Sequence, residues 1–344
     1  MNPLADDLDH ILRHTAGLWE ELRGKRIFIT GGTGFFGRWI LESFAHANDQ
    51  LGLGASAVVL TRNPGKFVSK APTLSKRDDI DLVCGDVRRF DLPEGEFSHI
   101  IHGGTTSSSP VEPLEMFDTI VEGTRQVVQF ASTHGTRKLL FISSGAVYGR
   151  QPPGMTHIPE SYSGGPDPLD RGSAYGEGKR AAELLCILGG LRHGFEPKLA
   201  RCFAFVGPHL PLDAHFAIGN FIRDAICGNP ITVNGDGTTV RSYLYAADLA
   251  IWLWTVLFAG LANEAYNVGS ESALTIGEVA HAVSIVFPSK PLVNFRNKAS
   301  ESSMNSTYVP STQKAGKHLG LSQVVVFEEA IHRTIAWNSE SRMS

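Results

Sequence analysis

Paired cysteines, a surplus of one charge and a long apolar run are all missing from this chain, and each absence closes off a class of function. Cys84, Cys186, Cys202 and Cys227 lie far apart with no C-x-x-C spacing. Neither a zinc framework nor a disulfide scaffold is expected, and the four read as reduced core thiols of a cytoplasmic protein. The 13 histidines show no ligand spacing either, so no metal site is expected. Lys and Arg number 31 against 35 Asp and Glu, a formal net charge of −4. That balance gives no electrostatic reason for a nucleic-acid partner. No apolar run reaches the roughly 18 residues of a membrane span. The most apolar stretch, "LAIWLWTVLFAGLA" from Leu249, reads as a buried helix. The first residues, "MNPLADDLDHILRH", are acidic and unlike a signal peptide.

What is present is length and alternation. A chain of 344 residues, 42% of them hydrophobic, supports one large domain or two closely joined ones. Residues 1–24 read as an added amphipathic helix with Leu8, Ile11, Leu12, Ala16, Leu18 and Leu22 as its apolar stripe. Six apolar strands follow, "RIFIT", "AVVLT", "DLVCG", "HIIHG", "KLLFISS" and "KLARCF", with helical segments among them. That rhythm predicts an α/β fold, a Rossmann-type doubly wound parallel sheet buried on both faces. After about residue 205 the rhythm breaks into Pro/Gly-rich pieces such as "VGPHLPLD" and "GNPITVNGDGTTV". Three parts are expected: a helical extension over 1–24, a dinucleotide-binding domain over 25–204, and a smaller irregular substrate domain over 205–344 that interleaves with it.

The turn "ITGGTGFFGRW" sits between the first strand and a helix. Gly31, Gly34 and Gly37 fit G-x-x-G-x-x-G, and Gly32, Gly34 and Gly37 fit G-x-G-x-x-G. Glycines let backbone N–H groups approach a pyrophosphate, and the helix N-terminus adds positive potential. Phe35 and Phe36 within this turn, and Gly103 after the fourth strand, join the expected cofactor contacts. Asp86 in "CGDVR" can accept from an adenine amino group, with Val87 beside it; a helix cap is its ordinary alternative. The second strand ends in Thr61 and Arg62, with no acid for the ribose hydroxyls. Arginine matches a 2′-phosphate, so NADP(H) is favoured over NAD(H), unless Arg62 is merely a solvated surface charge.

Tyr175 and Lys179 in "SAYGEGKRAA" are spaced i, i+4 and share a helix face. A tyrosine with pKa about 10 needs roughly 4 kcal/mol of help to act as a base near neutrality. A cation one turn away, with an oxidised nicotinamide, is expected to supply much of it. The pair alone is common on surface helices. Ser143 and Ser144 end the fifth strand in "FISSGAVYG", where open α/β sheets bind ligands. Ser144, Tyr175 and Lys179 then form a hydride-transfer set.

From Lys25 to Trp337 the chain resembles an extended short-chain dehydrogenase/reductase of the nucleotide-sugar epimerase, dehydratase and reductase group. The resemblance is carried by "TGGTGFFG", "GDVRRFD", "SSGAVYG", "SAYGEGK", "RCFAFVGP", "GDGTTVRSYLYAADLA" and "YNVGS". It implies that Tyr175 is the catalytic acid/base, Lys179 its partner and Ser144 the hydroxyl that binds the reacting oxygen. It implies a nucleotide-diphosphate sugar as substrate, with Arg241 on the diphosphate; a structural ion pair between Arg241 and Asp248 is the alternative. It also implies a homodimer through a four-helix bundle. Relatives that dehydrate sugars carry two acids directly after the catalytic threonine, and decarboxylating relatives usually keep the second. Here those positions are Gly145 and Ala146, which transfer no protons. Ala204 and Ile120 replace asparagines common among relatives, Ala204 at a position that touches the substrate. Thr105, Thr106 and Ser107 in "HGGTTSSSP" replace an Ala-rich turn and offer hydroxyls to a sugar. The favoured activity is NADPH-dependent reduction of a 4-keto sugar nucleotide. A 4-epimerase working by internal redox is the alternative; a 4,6-dehydratase and a non-catalytic cofactor-binding protein rank below both.

Overall fold

A computed structural model describes residues 2–104, 111–214, 216–296 and 306–340. The chain opens with α1 (Ala5–His14) and a 3-10 turn (Trp19–Leu22). Next come β1 (Arg26–Thr30), α2 (Phe35–Leu51), β2 (Ser56–Thr61), α3 (Pro64–Lys70), α4 (Pro72–Ser75), β3 (Ile80–Cys84) and β4 (His99–His102). Then follow α5 (Pro113–Thr133), β5 (Lys138–Ser144), α6 (Ala174–His193) and β6 (Glu196–Cys202). Ile27 and Ile29 face one core cluster and Phe28 the other, the alternation of a strand covered on both sides.

Seven parallel strands lie in the order β11-β6-β5-β4-β1-β2-β3, where β11 is Glu264–Val268. The order reverses between β1 and β4, and the crevice above that switch point is where such sheets bind ligands. The seventh strand was not among the six expected. "EAYNV" carries a polar Asn267, fully buried, whose amide is satisfied by Tyr148, Ile158 and Ser311.

Helices α5 and α6 cover one face of the sheet; α2 and α8 (Ala246–Ala259) cover the other. The apolar run expected as a buried helix is α8, with every residue from Ala246 to Phe258 buried. A helix apolar all round must be covered all round. Much of that cover comes from the N-terminal segment, which lies on α2 and α8 and not along a sheet edge. Instead of one helix it is α1 plus the 3-10 turn, broken after Thr15 with Gly17 at φ 82°. Trp19 requires the break: it is fully buried, 4.5 Å from the Trp254 ring, and its indole donates to Thr15 Oγ1. Ala16, expected in the stripe, is exposed. Asp7 fixes α1 by accepting from Tyr245 and Arg333.

Of the four free thiols, Cys186 and Cys202 are buried while Cys84 and Cys227 are exposed, so only two are core residues. The remaining elements are short: β7 (Phe205–Val206), α7 (Ala217–Ile226), β8 (Ile231–Val233), β9 (Val240–Arg241) and β10 (Leu244–Tyr245) before α8. After β11 come β12 (Leu274–Thr275), α9 (Ile276–Val286), β13 (Val293–Phe295), β14 (Thr307–Tyr308), α10 (Gln313–Leu319) and α11 (Phe327–Glu340). Two small sheets, β13-β8 and β12-β9-β14, wall the crevice opposite the main sheet. Among the described residues no helix is long and apolar enough to cross a membrane.

Candidate active site

A cleft of about 2370 Å³ runs along the carboxyl ends of the strands. A drug-sized ligand fills roughly 300–1,000 Å³, so there is room for two. At one end lies the glycine turn. Gly31 has φ 75°, and a Cβ on it would stand 2.5 Å from the Gly103 carbonyl oxygen. A Cβ on Gly37 would stand 2.3 Å from the Gly32 Cα. The turn is therefore drawn against both β4 and the first turn of α2. Gly34 caps α2 and has nothing nearer than 3.6 Å, leaving its Cα open to the cleft. Phe35 and Phe36 open α2 and line the cleft; Val87 and Gly103 line it from the other side. The cradle fits a dinucleotide pyrophosphate.

A buried triad sets this geometry. Thr30 Oγ1 accepts from the Gly104 N–H and bonds His102 Nδ1 at 2.7 Å, and His102 Nε2 bonds Thr124 Oγ1 at 3.0 Å. Burial lowers the His102 pKa to about 3, so the ring is neutral and bridges β1, β4 and α5 as a donor on one side and an acceptor on the other. No sequence spacing announced it.

The adenosine end differs in part from expectation. Arg62 is exposed at the end of β2, and its guanidinium bonds no described residue. Lys66 stands one turn into α3 on the same cleft wall. Asp86 also lines the cleft, but Arg88 clasps it through Nε at 2.9 Å and a terminal nitrogen at 3.0 Å. It also caps the Arg88 N–H, and these bonds hold its pKa below the ordinary value.

Ser144, Tyr175 and Lys179 lie together on the cleft wall. Ser144 ends β5, and its hydroxyl accepts from the Ala146 N–H at 3.1 Å. Ser143 turns beneath and donates to Glu183. Lys179 is buried and donates to the Ile142 carbonyl at 2.7 Å, with its ammonium 5.8 Å from the Tyr175 ring centre. Burial brings the Lys179 pKa down to about 8. Tyr175 departs from the expected lowering. Burial raises its pKa, opposed by the Ser144 hydroxyl that faces it. Desolvating a phenolate on this part-buried wall of the cleft outweighs a lysine already tied to a backbone carbonyl. The side chain is therefore a protonated phenol, a donor.

Across the cleft Arg241 donates to the Val240 and Ser306 carbonyls, and no described carboxylate pairs with it. Asp248 is instead bonded by the Val324 and Val325 N–H groups, with His10 nearby, so the alternative ion pair does not form. Arg241 is a half-buried cation facing the cleft with no counter-charge among the described residues, which suits an anionic ligand. Ala204 lines the cleft and is half-buried. Thr105, Thr106 and Ser107 lie outside the described residues.

Two features of the centre escaped sequence reading. Glu183 takes a bidentate ion pair from Arg201 under Ser143, and Arg201 also donates to Tyr148. Its position four residues past Lys179, on the same helix face, was the available signal. Tyr308 brings a second phenol beside Ser144, with no local pattern to reveal it.

The model of the NAD dependent epimerase/dehydratase family matches residues 27–269. UDP-glucuronic acid decarboxylase 1 of Danio rerio is 28% identical over 321 residues, covering 92% of this chain and 73% of that protein. A dTDP-glucose 4,6-dehydratase of Streptomyces venezuelae, solved with NAD bound, superposes with a TM-score of 0.76 at 23% identity, covering 92% of this chain and 98% of that one. A UDP-glucose 4-epimerase of Thermotoga maritima, solved with UDP-glucose, gives 0.74 at 18% identity over 92% and 99%. These structural likenesses bear on the fold alone.

Proposed function

The chain belongs to the NAD-dependent epimerase/dehydratase family, and from that premise we propose that it reduces a 4-keto nucleotide sugar with NADPH. The observation that carries this reading is the proton inventory of the reaction centre. Position 145 is glycine, position 146 is alanine, and the described acids lining the cleft are Asp86, Asp224 and Asp236, none of them on β5 or α6. Among the described residues, what remains at the centre is Tyr175, Ser144, the buried Lys179 and the phenol of Tyr308.

These groups suit reduction. A dinucleotide bound at the glycine turn would supply the hydride to C4. As the carbonyl π pair collapses onto oxygen, Tyr175 gives its phenolic proton to that oxygen, and the raised pKa keeps the proton in place until then. Ser144 accepts from the Ala146 N–H, so its own O–H points among Tyr175 and Tyr308, where it would donate to the developing alkoxide. Lys179, fixed by the Ile142 carbonyl, offsets the negative charge left on Tyr175 before a solvent proton restores it. Arg241 takes the diphosphate, and the glycine turn takes the pyrophosphate of the cofactor.

Arg62 supports NADPH over NADH, because β2 ends in an exposed guanidinium and not in the acid that would bond the ribose hydroxyls. The free thiols fit a cytoplasmic enzyme. Leu184, Leu188 and Leu191 are exposed at 58%, 54% and 70% along one face of α6. That apolar stripe supports a homodimer in which α5 and α6 pair with their copies.

The test is to mix the purified chain with NADPH and a dTDP-4-keto-6-deoxyhexose and follow nicotinamide absorbance. Oxidation of NADPH, with NADH a poorer donor, supports the reading. A protein that retains one dinucleotide per chain through purification, ignores added NADPH and interconverts C4 epimers would replace it with the epimerase.

A further inference from the structure

Gly145 is a glycine without a backbone reason to be one. Its φ is not positive. A Cβ there would instead stand 2.6 Å from the Tyr308 hydroxyl oxygen and 2.7 Å from Phe203 Cζ. Tyr308 is more than 130 residues away in sequence. It arrives because β14 pairs with β9, with Tyr308 in register with Arg241. The ring is held by Phe203, 4.6 Å between centres, and by the Arg241 guanidinium 5.6 Å from its centre. Its phenol lines the cleft, faces Ser144, and stands close enough to Tyr175 for a charge on either to disfavour a charge on the other.

We propose that Tyr308 is a substrate-orienting hydroxyl of the reaction centre, seated in the space that a side chain at position 145 would take. The proposal rests on the reading of the cleft as a nucleotide-sugar site. What separates the two phenols is their setting: Tyr175 shares its helix with the buried Lys179, whereas Tyr308 sits on β14 beside Arg241. Tyr308 therefore donates a hydrogen bond to a sugar oxygen next to the reacting carbon and leaves the proton transfer to Tyr175. Gly145 and Tyr308 form one device: the glycine makes room, and the phenol replaces a proton-transferring group by a positioning one. Arg241 beneath the ring links this grip to the diphosphate end, so one short strand pair places both contacts.

The test uses the full chain as wild type, Tyr308→Phe and Tyr175→Phe. Phenylalanine keeps the ring packing and removes only the hydroxyl. Binding of UDP, dTDP, UDP-glucose and dTDP-glucose is measured by calorimetry in the presence of cofactor. For Tyr308→Phe, binding of the sugar nucleotide is expected to weaken about tenfold, the worth of one hydrogen bond. Binding of the free nucleotide diphosphate and of the cofactor is expected to stay unchanged. Equal loss for free nucleotide and sugar nucleotide, or no loss for either, overturns the proposal. If the wild type binds no nucleotide sugar, the substrate reading fails, and tyrosinate absorbance then decides the placement of Tyr308. The titration that Tyr175→Phe removes should shift in Tyr308→Phe; an unshifted one overturns it.

Discussion

Substituting Gly37 by alanine sets two effects against each other, and their sizes decide the outcome. Gly37 lies inside α2, where alanine is favoured over glycine by about 1 kcal/mol. Its new Cβ, however, would meet the Gly32 Cα at 2.3 Å and the Gly31 carbonyl oxygen at 2.4 Å. Relieving both means moving the turn and the helix apart by roughly 1 Å, and overpacking of this kind costs about 1–3 kcal/mol. The net effect is a loss of about 0–2 kcal/mol. At roughly 2.1 cal/mol/K per residue of unfolding entropy, that is a melting temperature lower by up to about 3 °C. The larger consequence falls on the cofactor. The moved atoms are the N–H donors of the cradle, and losing about 3 kcal/mol of charge-assisted hydrogen bonding weakens the dinucleotide about 100-fold. Gly316 is the control. It too is helical, in α10, but its nearest neighbour lies 3.4 Å from the Cβ position, so Gly316→Ala should stabilise slightly and leave binding alone. Calorimetric titration with NADPH and a thermal melt on both variants would check this. Gly37→Ala binding as wild type and melting no lower would refute the steric reasoning.

Tyr175→Phe should lower turnover about 10²–10⁴-fold while NADPH binding, measured by fluorescence, stays within twofold to threefold. Arg62→Ala should weaken NADPH about tenfold and leave NADH unchanged, read as two dissociation constants. Glu183→Gln leaves Arg201 under the sheet without its charge partner, and removing one member of a buried pair costs about 3–5 kcal/mol; chemical denaturation should show most of that. Acid should destabilise the fold. His102 and His209 have folded pKa values lowered to about 3 by burial, below the unfolded value of about 6.5. The unfolded chain therefore binds more protons between those limits, so stability is full above about pH 6.5 and falls toward pH 3. His102→Asn should flatten that slope in melts taken across the range.

The parallel sheet was legible because strands covered on both faces must be runs of Ile, Val, Leu and Phe. β11 broke that rule with Glu264 and Asn267, and only the tertiary partners of Asn267 make its burial tolerable. The Tyr175–Lys179 pair on the cleft wall was legible because both share one helix face, and one further turn would have added Glu183. Asp86 was legible as a carboxylate of the cleft wall, but its pairing with Arg88 two residues on was not. Tyr308 and the Thr30–His102–Thr124 bridge depend on strand pairing and packing across the whole chain, for which no local spacing exists. The break in the N-terminal helix follows from Trp19 packing on Trp254, a contact between segments more than 230 residues apart.

The most direct measurement is the fate of the hydride. NADPH carrying deuterium at the transferable position of its nicotinamide is mixed with the protein and a dTDP-4-keto-6-deoxyhexose, and the sugar product is examined by proton NMR. Stoichiometric deuterium at C4 of a single stereoisomer, abolished in Tyr175→Phe, is the expected result. A product without deuterium at C4, or full labelling by Tyr175→Phe, would contradict direct hydride transfer with Tyr175 as the proton donor.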